Sequence, residues 1–267
     1  MPCGSAMNKQ RRHLLRMLGS VPFLTAASRP ERLLVSYNDD YAPYSYIDPQ
    51  QGGGQVLGIL PEILDPLLAE IPGILAGKQG LPWRRVQAMV QQGEADALCT
   101  FASAERKQYA VFNRVAVTTL VPHLFFSARH PRRAELEAIR SRDALKAFHL
   151  VDQKGNQWAE QALKDFPSVE WTPGHDAIFR MVMAERGDLH VSLSPLVTLW
   201  RLKKLGIHSQ VVSIPAPYVA AEVPFHLGVR LSHPLATEIA EYLDKALLKP
   251  AVARRIEDIL KRYGGQA

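Results

Sequence analysis

The chain has 267 residues, of which 47% are hydrophobic and 22% charged. This is ordinary globular material, long enough for one large domain or two smaller ones. The formal charge of +6 gathers at the N-terminus: residues 1–27 hold Lys9, Arg11, Arg12 and Arg16 and no acid, and without them 28 basic residues face 26 acidic ones. A near-neutral body excludes a dedicated nucleic-acid binder, which keeps a basic face.

From Met7 the chain reads as an export leader: a basic start, a short apolar stretch over Met17–Ala27, and small residues Thr25 and Ala27 ahead of a cut near Ala27. Arg11-Arg12-His13-Leu14-Leu15 resembles the twin-arginine export motif, with general secretion as the alternative. Translation starts at Met1 or Met7. No later stretch approaches the roughly 18–20 uninterrupted apolar residues of a membrane span, so no stable membrane insertion is expected. Cys3 leaves with the leader and Cys99 is then alone, so the sequence predicts no disulfide. No cysteine–histidine spacing suggests a metal, and no cofactor is expected.

After the leader, RLLVSY (32–37) has strand length and apolarity. The loop YNDDYAPYSYIDP (37–49) follows, with four of the chain's eight tyrosines. QQGGGQVLG (50–58) reads as a glycine-rich turn between two edge strands. Leu60, Ile63, Leu64, Leu67, Leu68 and Ile71 recur at helical spacing, with Pro66 expected to kink or restart that helix. A second helix is predicted over 84–92, stopped by Gly93, then a strand at ADALCTF (95–101). VAVTTLVPHLFFS (115–127) is extended and broken at Pro122. From 148 to 214 four strands alternate with three helices, which predicts a parallel sheet with right-handed crossovers. FHLGVR (225–230) adds a strand, and two helices starting at Pro234 and Pro250 complete the chain, the second ending before Gly264.

In this order the features resemble family 3 bacterial solute-binding proteins. The resemblance rests on LLVSYNDDYAPYSYID, Gly58, Pro61-Glu62-Ile63, LPWRRVQAMVQQGEADAL, SAERKQYAVF, HLVDQKGNQWAEQAL and the C-terminal run from Phe225 to Gly264. It covers most of residues 32–264 and resides in order and spacing rather than in one motif. It implies an α/β, two-lobed periplasmic-binding-protein fold of type II (Venus-flytrap), with an interlobe cleft and two hinge crossings, placed near Phe126 and Val223. Lobe 1 is then 28–126 plus 224–267, and lobe 2 is 127–223. The family role is capture of a small solute in the periplasm by a monomer that hands it to the permease of an ABC importer. The alternatives are a free-standing sensor acting by protein contact and, third, a lyase using the same cleft.

The resemblance also nominates site residues. Tyr41 and Tyr44 stand where the family places rings against the ligand, and such rings combine apolar area with a hydroxyl. Arg106 matches the arginine that grips a ligand carboxylate, for which guanidinium geometry is suited. Thr100 is the nearby hydroxyl. Asn156 and Gln157 open a helix whose free N–H groups point at the cleft. Ser194 and Pro195 stand where amino-acid binders carry an acid for the ammonium, so Asp39 or Asp40 is expected to substitute, or the ligand is not a standard amino acid. His175 and His190 read as structural. No Gly-x-Ser-x-Gly, His-Glu-x-x-His or cysteine-nucleophile context appears, which favours a binding protein over an enzyme.

Overall fold

The computed structural model describes residues 30–48 and 54–266; the expected leader lies outside them. Two sheets organise the chain. In the first, β1 (Glu31–Asn38) sits between β5 (Ile74–Leu81) and β6 (Ala97–Thr100), parallel to both, and β14 (Val223–Arg230) runs antiparallel beside β6. β7 (Ala110–Phe112) and β8 (Thr118–Leu120) also pair with β14. A small antiparallel sheet of β2 (Asp40–Tyr41), β3 (Ser45–Ile47) and β4 (Val56–Leu57) is built from the tyrosine-rich loop and the turn after it.

Helices α1 (Ile59–Ala69), α8 (Ala236–Leu247) and α9 (Pro250–Gln266) contribute to the main core of this lobe, in which Leu33, Val35, Leu64 and Leu243 are buried. α2 (Trp83–Gln92) packs Val86 and Val90 in a smaller cluster with Leu98 and ends at Gly93 with φ +79°. The helix does not restart at Pro66: α1 is one helix with Pro66 inside. Proline removes a donor and leaves the carbonyl four residues back unpaired. Here that carbonyl, on Glu62, accepts from Arg255 Nη2 of α9 at 3.0 Å. α9 also continues through Gly264 and Gly265, beyond its expected stop.

The second lobe places β9 (His123–Ser127) between β12 (His190–Ser192) and β13 (Val211–Pro215), antiparallel to both. β10 (Leu150–Gln153) and β11 (Val169–Thr172) form a parallel pair joined to β12 by a bridge from Leu150 to Leu189. β10, β11, β12 and β13 run the same way, as the alternation predicts, and β9, inserted between β12 and β13, makes the sheet mixed. β9 enters from the first lobe and runs opposite to the strand–helix series that follows. α3 (Arg133–Ala138), α4 (Arg142–Leu145), α5 (Gln157–Ala162), α6 (His175–Met183) and α7 (Pro195–Lys204) complete the lobe. Phe125, Phe179 and Leu202 pack beneath α6 and α7, and Leu124, Phe126, Leu150 and Val191 on the other face.

The chain passes between sheets twice, over Val121–Pro122 and over 216–222. Phe126, expected near the first crossing, lies inside β9, and Val223 begins β14 after the second. The crossings are tied together, Ala216 N donating to Pro122 O at 2.7 Å.

Candidate functional site between the lobes

In open α/β sheets, ligands bind beyond the carboxyl ends of the strands. The first lobe presents Tyr41 after β1, Trp83 after β5 and Phe101 after β6 at that edge, and β14 enters it with Phe225. The tyrosine loop is pinned from beneath. Ile59 N donates to Pro43 O at 2.9 Å and Leu60 N to Tyr44 O at 2.8 Å, so first-turn donors of α1 close onto the loop. This approach requires Gly58, at φ +118°, where a Cβ would stand 2.6 Å from Pro43 O.

Tyr41 is half-buried, stacked on Tyr44 at 5.4 Å between ring centroids and on Phe225 at 6.5 Å. Its hydroxyl hydrogen-bonds the Ser194 hydroxyl of the other lobe. Burial pushes the Tyr41 pKa up to about 12, and the Ser194 contact offsets part of that rise. Tyr44, expected as a second ligand-facing ring, is 3% exposed and belongs to the core. Flanked by Tyr41 and Phe225, it supports the front ring rather than offering a surface of its own. Asp39 is half-buried and holds the strand ends through its backbone, donating to Leu81 O at 3.1 Å. Asp40 is exposed, with a carboxylate oxygen 3.7 Å from Arg201 Nη2 of α7. Tyr46 meets Trp200 of α7 at 5.6 Å, and Val197 of α7 packs in the first lobe's core. This side of the cleft is closed by contact between the lobes.

Thr100 ends β6 opposite His226 and is 3% exposed. Arg106, in a short 3-10 turn, is 8% exposed. Its Nε and Nη2 donate to Gln87 Oε1 at 3.2 and 3.0 Å, and Nη1 donates to Phe101 O at 3.2 Å. The guanidinium carbon lies 4.2 Å from the Phe101 ring centroid and 5.3 Å from that of Trp83. Burial lowers the Arg106 pKa, with Tyr109 and Glu105 opposing, yet a guanidinium remains charged in such a setting.

In the second lobe the starts of α5, α6 and α7 follow the ends of β10, β11 and β12. Asn156, nominated as a ligand donor, is engaged within its own lobe: Oδ1 accepts from Ala159 N at 3.4 Å and Nδ2 donates to Asp152 Oδ1 at 3.0 Å. It caps α5 and braces Asp152. The side chain of Gln157 lies outside the described residues. Ser194 accounts for the contact with Tyr41.

Three further residues gather at this edge. Asp152 is fully buried, and its Oδ2 lies 3.2 Å from His190 Nδ1. His190 is 1% exposed, and its Nδ1 is also 3.1 Å from Val151 O. The His175 ring stands edge-on to His190 at 6.1 Å. His190 Nε2 and His175 Nδ1 are buried without a hydrogen-bond partner. Burial lowers the His175 pKa to about 4, reinforced by His190 and Arg201 and opposed by Asp152 and Asp176. Sequence reasoning treated both histidines as structural and passed over Asp152. The available signal was an acid ending the apolar strand FHLVD, at the edge where α/β sheets bind ligands. Trp83 and Phe101 were also missed as cleft residues, although both adjoin the sheet edge that carries Tyr41.

Chemically, the first lobe offers rings and a cation, and the second offers acceptors held under the starts of three helices. Among the described residues no group of three histidine, cysteine, aspartate or glutamate side chains is disposed to hold a metal ion, and no helix is long and apolar enough to cross a membrane. A cavity of about 590 Å³ lies away from the cleft, between α1, β4 and α9. Its polar lining is internally paired, with Lys78 to Asp65 at 2.6 Å and the Tyr263 hydroxyl to Glu62 at 2.5 Å, and reads as structural.

No protein-family model matches the sequence, and no curated protein does. Solved structures do. A histidine kinase sensor domain with similarity to periplasmic binding proteins matches with a TM-score of 0.62 at 18% identity, covering 88% of this chain and 96% of its own. The arginine-, lysine-, histidine-binding protein of Geobacillus stearothermophilus matches with a TM-score of 0.61 at 17% identity, covering 88% and 96%. An ancestral amino-acid-binding protein, a precursor of cyclohexadienyl dehydratase, matches with a TM-score of 0.59 at 20% identity, covering 87% and 95%. At these identities the likeness establishes the fold: the chain has the two-lobed α/β architecture of periplasmic solute-binding proteins.

Proposed function

We propose that the protein is an exported solute-binding protein that captures a small polar, carboxylate-bearing ligand between its lobes and delivers it to an ABC importer. The observation that carries this reading is the convergence of a stacked ring, a buried guanidinium and partnerless buried polar atoms at the facing edges of two lobes joined by two crossings. A ligand that contacts both lobes favours the closed form through contacts absent from the open one. Arg106 supplies the charge for the carboxylate, with Tyr41 and Thr100 at the same edge. Asp152 is fully buried against His190 and Asn156, so Asp40, exposed on the loop, is the acid open to a donor group of the ligand. A second reading, a ligand sensor that acts by protein contact, draws support from the sensor-domain neighbour. Both readings require the same cleft and share its test.

That test is a thermal-shift screen against amino acids, short peptides and organic acids, since a bound ligand raises the melting temperature by mass action. Carboxylates are expected to raise it, and Arg106→Ala to weaken the best of them by more than about 1.5 kcal/mol in calorimetry. A screen with no stabilising compound contradicts the binding reading, and unchanged affinity in the variant removes Arg106 from the site.

A further inference from the structure

The end of β6 carries an unusual side chain for a polar cleft. Phe101 is 38% exposed, one of the large apolar residues left open to solvent, and it lies at the same sheet edge as Tyr41. It engages Arg106 twice, through its carbonyl at 3.2 Å and through its ring at 4.2 Å from the guanidinium carbon. Gln87 occupies the Nε side of the guanidinium, and Trp83 crowds it as well. The N–H groups of Arg106 left over are one on Nη1 and one on Nη2, on the guanidinium that the Phe101 ring covers, so a carboxylate taken there brings the body of the ligand close to that ring. A flat apolar body recovers the contact and removes the ring from water. A compact polar body leaves the ring wet and the site part-filled.

Resting on the reading of the cleft as a carboxylate-binding site, we infer that Phe101 is its specificity-determining residue and selects carboxylates with a flat aromatic body over compact aliphatic ones. Phe101 does not replace Arg106 in this scheme. Arg106 supplies the charge, and Phe101 decides what is attached to it.

The experiment is calorimetric titration of the full chain and of Phe101→Ser and Phe101→Leu. The probes are L-phenylalanine, L-tryptophan and phenylacetate set against L-alanine, L-glutamate and acetate. The unliganded melting temperature of each variant checks folding. The wild type is expected to prefer the aromatic set by tenfold or more. Phe101→Ser is expected to cut that preference at least fivefold, and Phe101→Leu, apolar but not flat, to cut it by a smaller factor. Equal preference in the wild type and Phe101→Ser, or a wild type that prefers the aliphatic set, overturns the inference while leaving carboxylate binding in place. Failure of every probe to bind the wild type overturns the carboxylate reading and this inference together.

Discussion

The two lobes approach the cleft with different materials. The first presents rings and a guanidinium on loops pinned by backbone hydrogen bonds, with Tyr41 stacked on Tyr44 and Arg106 fastened to Gln87 and Phe101. The second presents polar atoms sunk beneath its surface, with Asp152 facing His190 Nδ1 at 3.2 Å and with His190 Nε2 and His175 Nδ1 lacking a hydrogen-bond partner. The first surface is preorganised, so a ligand spends little on ordering it. The second is poised electrostatically, because buried polar atoms are costly until something satisfies or neutralises them. On this contrast, perturbing the first lobe should alter stability through the backbone, and perturbing the second should alter its response to protons.

The largest effect is expected at Gly58. Gly58→Ala adds a Cβ at a left-handed φ and drives it into the Pro43 carbonyl, 2.6 Å away. The cost is about 2–4 kcal/mol, measured as a lower midpoint in urea unfolding. A loss below 1 kcal/mol on the order of an ordinary surface change shows that the tyrosine loop is not pinned as described.

The next effect belongs to the second lobe. His175 has a pKa of about 4 in the folded chain against an ordinary 6.5, so the fold favours its neutral form. Between those values the unfolded chain binds the extra proton. Stability is therefore full above about pH 6.5 and declines as the pH falls toward 4. Partial exposure limits the decline to about 1–2 kcal/mol. Unfolding curves of the wild type and His175→Gln from pH 7.5 to 4 isolate this contribution, with the variant expected to lose less. Parallel profiles contradict the assignment.

The smallest effect joins the two lobes. Ser194→Ala removes the partner of the Tyr41 hydroxyl, a hydrogen bond worth about 0.5–1.5 kcal/mol. The melting temperature should fall only slightly, while solution scattering of the unliganded protein should show a larger radius of gyration as the lobes part. An unchanged radius means that the packing of α7 on the first lobe, not the hydroxyl pair, holds this side closed.

Much of the fold was legible because its signals are local. Gly93 stops α2, the helical spacing of Ile239 and Leu243 marks the buried face of α8, and the break at Pro122 separates β8 from β9. β5 escaped notice because an edge strand needs little apolar content: ILAGKQGL leaves Leu75 63% exposed and takes its register from β1. The antiparallel course of β9 was hidden for another reason. Local pattern carries no direction, and only the crossing from the first lobe supplies it.

The site was less legible than the fold. Tyr41 and Tyr44 look alike in the sequence, yet the turn between β2 and β3 and the close approach of α1 bury one and leave the other at the lobe contact. Asn156 reads equally well as a ligand donor or a cap, and the neighbouring Asp152 carboxylate and Ala159 amide engage both ends of its amide. Asp152 and His190 lie 38 positions apart and meet only because β10 and β12 are joined in the sheet. No spacing rule within one element reveals such a pair.

The central claim is that a ligand is held by both lobes at once. Backbone hydrogen exchange, with and without a carboxylate that raises the melting temperature, tests it most directly. The account predicts slower exchange on binding in both the 37–46 loop and Arg106 turn of the first lobe and the starts of α6 and α7 in the second. Protection confined to one lobe, or to the cavity between α1 and α9, contradicts it.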